Sequence, residues 1–134
     1  MPEITLTGQS GQSYKFICYS PGTDWYEVAG CYAFAIQHTN ALAATPTRPF
    51  YIGQTDSFKR RMNEHQDDKW AKAKALGANI TLAFVEPNEA LRLAMEQNLI
   101  RAYQPPLNVQ HIQQALPIGS LGSLLTPRNR LFPG

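Results

Sequence analysis

Phe50-Tyr51-Ile52-Gly53-Gln54-Thr55 sits near the middle of a chain of 134 residues. Phe50, Tyr51 and Ile52 have the aromatic and β-branched character of a short strand. Gly53 closes it, and a glycine directly after a strand allows an unusual turn or the close approach of a ligand. Upstream, residues 31–36 are apolar and bounded by turn-type residues, which predicts a buried strand. The polar segment 37–49 between them contains Pro46 and Pro49 and predicts an exposed loop. Downstream, Asp56 or Ser57 can cap a helix over residues 58–66. A second helix is expected at 69–76, ending at Gly77. Residues 80–85 form a third apolar run. Asn88 then caps a longer helix through Tyr103, with Glu89 favourably placed for the helix dipole and Pro105-Pro106 ending it.

The N-terminal segment 3–19 alternates around Gly8-Gln9-Ser10-Gly11 and predicts a β-hairpin. The tail 117–134 is rich in Gly, Pro and Ser without a period, so a loosely packed or disordered end is expected. The order of elements gives an α+β fold: a small central antiparallel sheet of about three strands flanked by helices, with the hairpin as an N-terminal extension. The expected organisation is hairpin 1–24, a central domain 25–112 and a tail 113–134.

Composition narrows the class. Hydrophobic residues are 43% and charged residues 16%, which describes a globular domain and excludes a disordered one. The net charge of +2 is a mild lean toward anionic partners, and Lys59, Arg60 and Arg61 concentrate it. The two cysteines, Cys18 and Cys31, make neither a disulfide framework nor a C-x-x-C zinc pair. The first residues lack a signal-peptide pattern, and no run is long enough to span a bilayer. A cytoplasmic protein with reduced thiols and no membrane partner is expected.

Glu96 breaks a local rule. At about 100° per residue, Leu91, Met95, Leu99, Ile100, Ala102 and Tyr103 fall on one broad apolar face, and Glu96 lies inside it. A carboxylate there needs a partner. The two readings are an internal ion pair and a ligand to a hard divalent cation. Arg61 and His65, spaced i, i+4, share a face of the first helix, while Phe58 and Met62 share another. Guanidinium and imidazole together suit a phosphate, though a solvated basic face would look the same. Tyr32 and Tyr51 lie on the two strands, where most tyrosines simply pack.

Together these residues resemble the GIY-YIG nuclease family. Gly30-Cys31-Tyr32 is similar to its first motif and Phe50-Tyr51-Ile52-Gly53-Gln54-Thr55 to its second. Arg61 stands eight positions after the glycine and His65 four further on. Met95-Glu96-Gln97-Asn98-Leu99-Ile100 has the form of the metal-ligand helix, and Pro105-Pro106-Leu107-Asn108 that of the segment after it. The resemblance spans about residues 29–110. Cys31 replaces the usual isoleucine, the 37–49 segment is an insertion, and no separate DNA-reading domain is visible.

The resemblance implies a hydrolase cutting DNA phosphodiester bonds with Mg²⁺ or Mn²⁺. Glu96 would hold the cation and Arg61 would stabilise phosphoryl charge. Tyr32 would take a proton from the attacking water, with Tyr51 and His65 orienting water or relaying the proton. Gly53 and Asn108 would support the site, the latter by positioning the loop after the helix or the cation's water shell. Lys59 and Arg60 would contact nucleic acid. Repair, recombination and restriction are all compatible, with structure-selective or weakly specific cutting favoured by the missing reading domain. Homodimerisation is compatible with a cleft that cuts one strand at a time. The alternatives are a nucleic-acid binding module on the same fold that does not cut, and an interaction domain in which Glu96 merely pairs with Arg61.

Overall fold

Alternation at the N-terminus produces two strands, β1 (Glu3–Thr7) and β2 (Ser13–Tyr19), whose inward residues Leu6, Tyr14 and Phe16 are buried. They open a computed structural model that describes residues 2–37, 47–66 and 68–108. After them come β3 (Gly30–Ile36), β4 (Arg48–Thr55), α1 (Phe58–His65), α2 (Lys69–Ala75), β5 (Ile80–Val85) and α3 (Glu89–Tyr103). The expected tail 117–134 and most of the 37–49 segment lie outside the described residues. No helix among the described residues is long and apolar enough to cross a membrane.

The fold is α+β and the sheet antiparallel, as expected, but the sheet has five strands, in the order β1-β2-β5-β3-β4. The count of about three needs correction because the hairpin continues the sheet instead of extending from it. Ile17, Cys18 and Tyr19 pair with Ala83, Leu82 and Thr81. Alternation reveals that a strand has one buried face, but carries no information on which strand completes its hydrogen bonds. The hairpin is also pinned to α3. Ser10 N–H donates to Asn98 Oδ1 at 3.0 Å, and Thr7 N–H to Tyr103 Oη at 3.0 Å.

Both faces of the sheet are covered over β3, which is buried from Gly30 to Ala35. Cys31, Ala33, Phe16, Leu82 and Ile52 pack against Met95 and Leu99 of α3. On the other face Tyr32, Phe34 and Ala83 pack with Phe58, Met62 and Ala73 of α1 and α2. β4 begins two residues earlier than the apolar run indicates and contains Pro49. Its place at the edge of the sheet tolerates the missing N–H.

The caps fall where the sequence places them. Ser57, not Asp56, caps α1 by accepting from Arg60 N–H at 3.3 Å, and Asn88 caps α3 by accepting from Leu91 N–H at 3.0 Å. Gly77, at φ 113°, turns the chain after α2 in a conformation that favours glycine. The buried stripe of α3 differs from expectation: it is Arg92, Met95 and Leu99. Leu91 is 56% exposed, and Ala102 is exposed as well. The stripe is centred between Leu99 and Arg92, so Leu91 falls at its margin and a cation takes the place expected of a leucine.

Candidate active site

Antiparallel register sets Tyr32 opposite Gly53 and Phe34 opposite Tyr51. Cross-strand partners, and residues two apart, share a face. Tyr32 and Tyr51 therefore stand side by side, ring centroids 6.2 Å apart, on the face that α1 covers. Gly53 leaves the room this needs: a Cβ built on it would lie 2.5 Å from Tyr32 Oη. The glycine serves the close approach of a protein side chain.

Phe58 and Met62 anchor α1 in the core, which turns Arg61 and His65 toward the tyrosines. His65 is 1% exposed, and its ring packs against Tyr51 and Phe34 with centroids 5.4 and 5.2 Å away. His65 Nε2 lies 2.5 Å from Tyr32 Oη. Arg61 Nε donates to the same oxygen at 3.3 Å, while Arg61 Nη1 pairs with Glu64 at 3.0 Å. The phenol of Tyr32 is thus the hub of the cluster. Glu64, not Glu96, is the carboxylate partner of Arg61.

Burial governs the protonation of the hub. It pushes the Tyr32 phenol well above the usual tyrosine range, and neighbouring Tyr51 adds to this, while the Arg61 cation pulls the other way and does not prevail. Burial, reinforced by Arg61, holds His65 down at about 4. At neutral pH the resting pair is therefore an intact phenol beside a neutral imidazole. His65 Nδ1 is buried without a hydrogen-bond partner among the described residues.

Glu96 approaches from the opposite side of the sheet. It is half-buried, desolvation raises its carboxyl pKa, and the nearby backbone of Gln54 pulls weakly the other way. Ile52, two residues earlier on β4, exchanges hydrogen bonds with Asn108: Ile52 N–H donates to Oδ1 and Nδ2 donates to Ile52 C=O, both at 2.8 Å. Ile52 and Gln54 present their free backbone groups to the same open side of the edge strand. Asn108 and Glu96 line that edge in succession. Asn108 thereby ties the segment after α3 to the backbone of β4.

The basic residues separate. Arg60 pairs with Asp56 at 2.5 Å and, with Arg61, lines a polar cavity of about 380 Å³ beside Gln54 and Thr55. Lys59 lines a different cavity, with Trp25, Met62 and Asn63. Cys31, in place of isoleucine, is fully buried; its thiol donates to Arg92 C=O at 3.3 Å, and burial pushes its pKa up to about 12. Sequence reasoning missed Arg92 and the side chain of Gln54. Their signal was the i, i+4 spacing of Arg92 to Glu96 on one helical face.

No group of three or more His, Cys, Asp or Glu side chains suited to a metal occurs among the described residues. The donor set is one half-buried carboxylate without an ion pair among them. That fits a cation of the Mg²⁺ kind, which keeps several waters and is completed by substrate phosphate oxygens. The family model of the GIY-YIG catalytic domain matches residues 29–109 of this chain. The chain belongs to the GIY-YIG family. Every residue of the cluster around Tyr32 lies within the matched GIY-YIG segment, as do Glu96 and Asn108. The family's domains are typically endonucleases, generally served by divalent metal ions. No curated protein matches the chain.

Proposed function

We propose that this domain is a DNA endonuclease that depends on Mg²⁺ or Mn²⁺ and hydrolyses one phosphodiester bond at a time. The observation that carries the reading is the convergence of Arg61 and His65 on the phenol of Tyr32, within a GIY-YIG domain. Glu96 would hold the cation, which would relieve negative charge on the phosphate and leaving oxygen. Arg61, with Nη2 not engaged by Glu64, supports charge that develops on the phosphoryl oxygens.

Tyr32 is too strongly held in its neutral form to act as a free tyrosinate. Its contact with neutral His65 supports a relay instead. As the attacking water loses a proton to Tyr32 Oη, the phenol proton passes to His65 Nε2, and Arg61 steadies the oxygen between them. Tyr51 packs against both rings and fixes their orientation. The intact constellation, with Tyr32 and His65 buried and Arg61 and Glu96 half-buried at its margin, favours cutting over binding alone. Structure-selective or weakly specific cutting is part of this reading, and free Cys18 and Cys31 favour a reducing, cytoplasmic setting.

Supercoiled plasmid and branched DNA incubated with the protein, with and without Mg²⁺, test this. Nicking should require the cation, and Tyr32→Phe and Arg61→Ala should each reduce it by about 100-fold or more. DNA that is bound but left uncut by the native protein at saturating Mg²⁺ or Mn²⁺ would replace the nuclease with the binding module.

A further inference from the structure

Arg92 is a cation inside the first turns of α3, yet only 5% of its surface is exposed. Its hydrogen bonds go to neutral acceptors. Nε donates to Gln54 Oε1 at 3.1 Å, and Nη1 donates to the carbonyls of Pro87 at 2.9 Å and Glu86 at 3.4 Å. Among the described residues no carboxylate pairs with it: the three ion pairs there join Arg60 to Asp56, Arg61 to Glu64 and Lys72 to Asp68. A buried guanidinium without a counter-anion is costly to keep. The arrangement is explained if an anion arrives from outside.

A route for that anion is present. Arg92 forms one wall of the polar cavity of about 380 Å³, lined otherwise by Gln54, Thr55, Arg60 and Arg61 and by the carboxylates of Asp56, Glu64 and Glu89. Arg60 pairs with Asp56 and Arg61 with Glu64, while Glu89 makes no ion pair with Arg92, so Arg92 is the arginine of this cavity without a paired carboxylate among the described residues. The same Gln54 that accepts from Arg92 through its side chain lies with its backbone beside Glu96, which stands one helical turn after Arg92 on α3. The cavity therefore adjoins both the Arg61 side of the cluster and the Glu96 edge of β4.

We propose that Arg92 and the cavity it lines form a second phosphate-binding site, which holds a backbone phosphate of the nucleic-acid strand next to the one being cut. This rests on the nuclease reading above. The guanidinium, fixed by Gln54 and two carbonyls, presents its remaining N–H donors without further ordering, as phosphate recognition by arginine requires. Bound phosphate would supply the missing counter-charge and fix the strand's register against Arg61.

The test is DNA binding by the full chain in EDTA, with labelled linear duplex and four-way-junction DNA, across a salt titration. Arg92→Gln should weaken binding roughly 3- to 10-fold and reduce the slope of log affinity against log salt by about 1. Arg92→Lys, which keeps a charge but loses the fork, should restore the slope with only part of the affinity. Titration of inorganic phosphate should raise the melting midpoint of the native protein and not that of Arg92→Gln; if Arg92→Gln fails to fold, the comparison is made with Arg92→Lys, whose response should be smaller. An unchanged salt slope in folded Arg92→Gln, while the native protein nicks DNA, would overturn this site and leave the nuclease reading standing. A native protein that neither binds nor nicks DNA would overturn both.

Discussion

Tyr32 lies across Gly53, its hydroxyl occupying the space that a side chain on the facing strand would need. Gly53→Ala would bring a Cβ to 2.5 Å from Tyr32 Oη, and Tyr32 is fully buried with nowhere to retreat. Overpacking of this kind costs about 1–3 kcal/mol. The larger effect should fall on cleavage, by about 100-fold, since Oη leaves its place between His65 and Arg61. Denaturation midpoints alongside nicking rates check this, and a variant of native activity would remove Gly53 from the site's support.

His65 gives the fold an acid-sensitive element. Its folded-state pKa of about 4 lies below the ordinary 6.5. The unfolded chain therefore takes up the proton first, so this contribution is complete above pH 6.5 and is lost as pH falls toward 4. The difference amounts to about 3 kcal/mol. His65→Gln should flatten the stability curve in that window relative to the native protein, and should slow cleavage at neutral pH. Parallel curves for the two proteins would place the imidazole in a more solvated setting than the one seen.

Glu96 should separate stability from activity. Its carboxyl pKa is raised by desolvation, so ionisation opposes folding: stability is greatest below the ordinary value of 4.5 and declines as pH rises through the folded-state pKa. Glu96→Gln removes that opposition and breaks no ion pair to Arg61, whose partner is Glu64. Stability at pH 7 should hold or rise slightly, while Mg²⁺-dependent cleavage disappears. Full activity of the variant at saturating Mg²⁺ would refute the ligand role.

Asn108 serves the backbone of β4 as an extra strand would. Asn108→Ala leaves the N–H and C=O of Ile52 without partners in a buried setting. A loss of about 2–4 kcal/mol is expected, at about 1–3 kcal/mol for each group. Asn108→Asp can still accept from Ile52 N–H but cannot donate to its carbonyl, and should also destabilise. Urea denaturation of the two variants decides it, and a loss of cleavage without a loss of stability would favour a role at the cation's water shell instead.

Much of this was legible from local chemistry. Ser57, Asn88 and Gly77 mark helix ends because caps and left-handed turns are short-range requirements. The shared face of Arg61 and His65 follows from helical spacing alone. Partnerships across the chain were not legible. Alternation in Ser13–Tyr19 does not reveal pairing with Ile80–Val85, and Gly53 as a strand terminator conceals its fit to Tyr32. Arg92 escaped because an apolar pattern leads one to expect leucines on the buried stripe, whereas the stripe's centre depends on how α3 rolls against the sheet.

The strand order sets a timetable for synthesis. β5 is the middle strand of the sheet and the last of the five in the chain. As the polypeptide emerges from its N-terminus, the β1–β2 hairpin and the β3–β4 pair have no common surface until residues 80–85 appear. Until then the edges of β2 and β3 that β5 will cover stay open, a condition that invites pairing with other chains. Insertion of β5 closes both edges in a single non-local step, and α3, next in the chain, then covers the joined sheet with Met95 and Leu99.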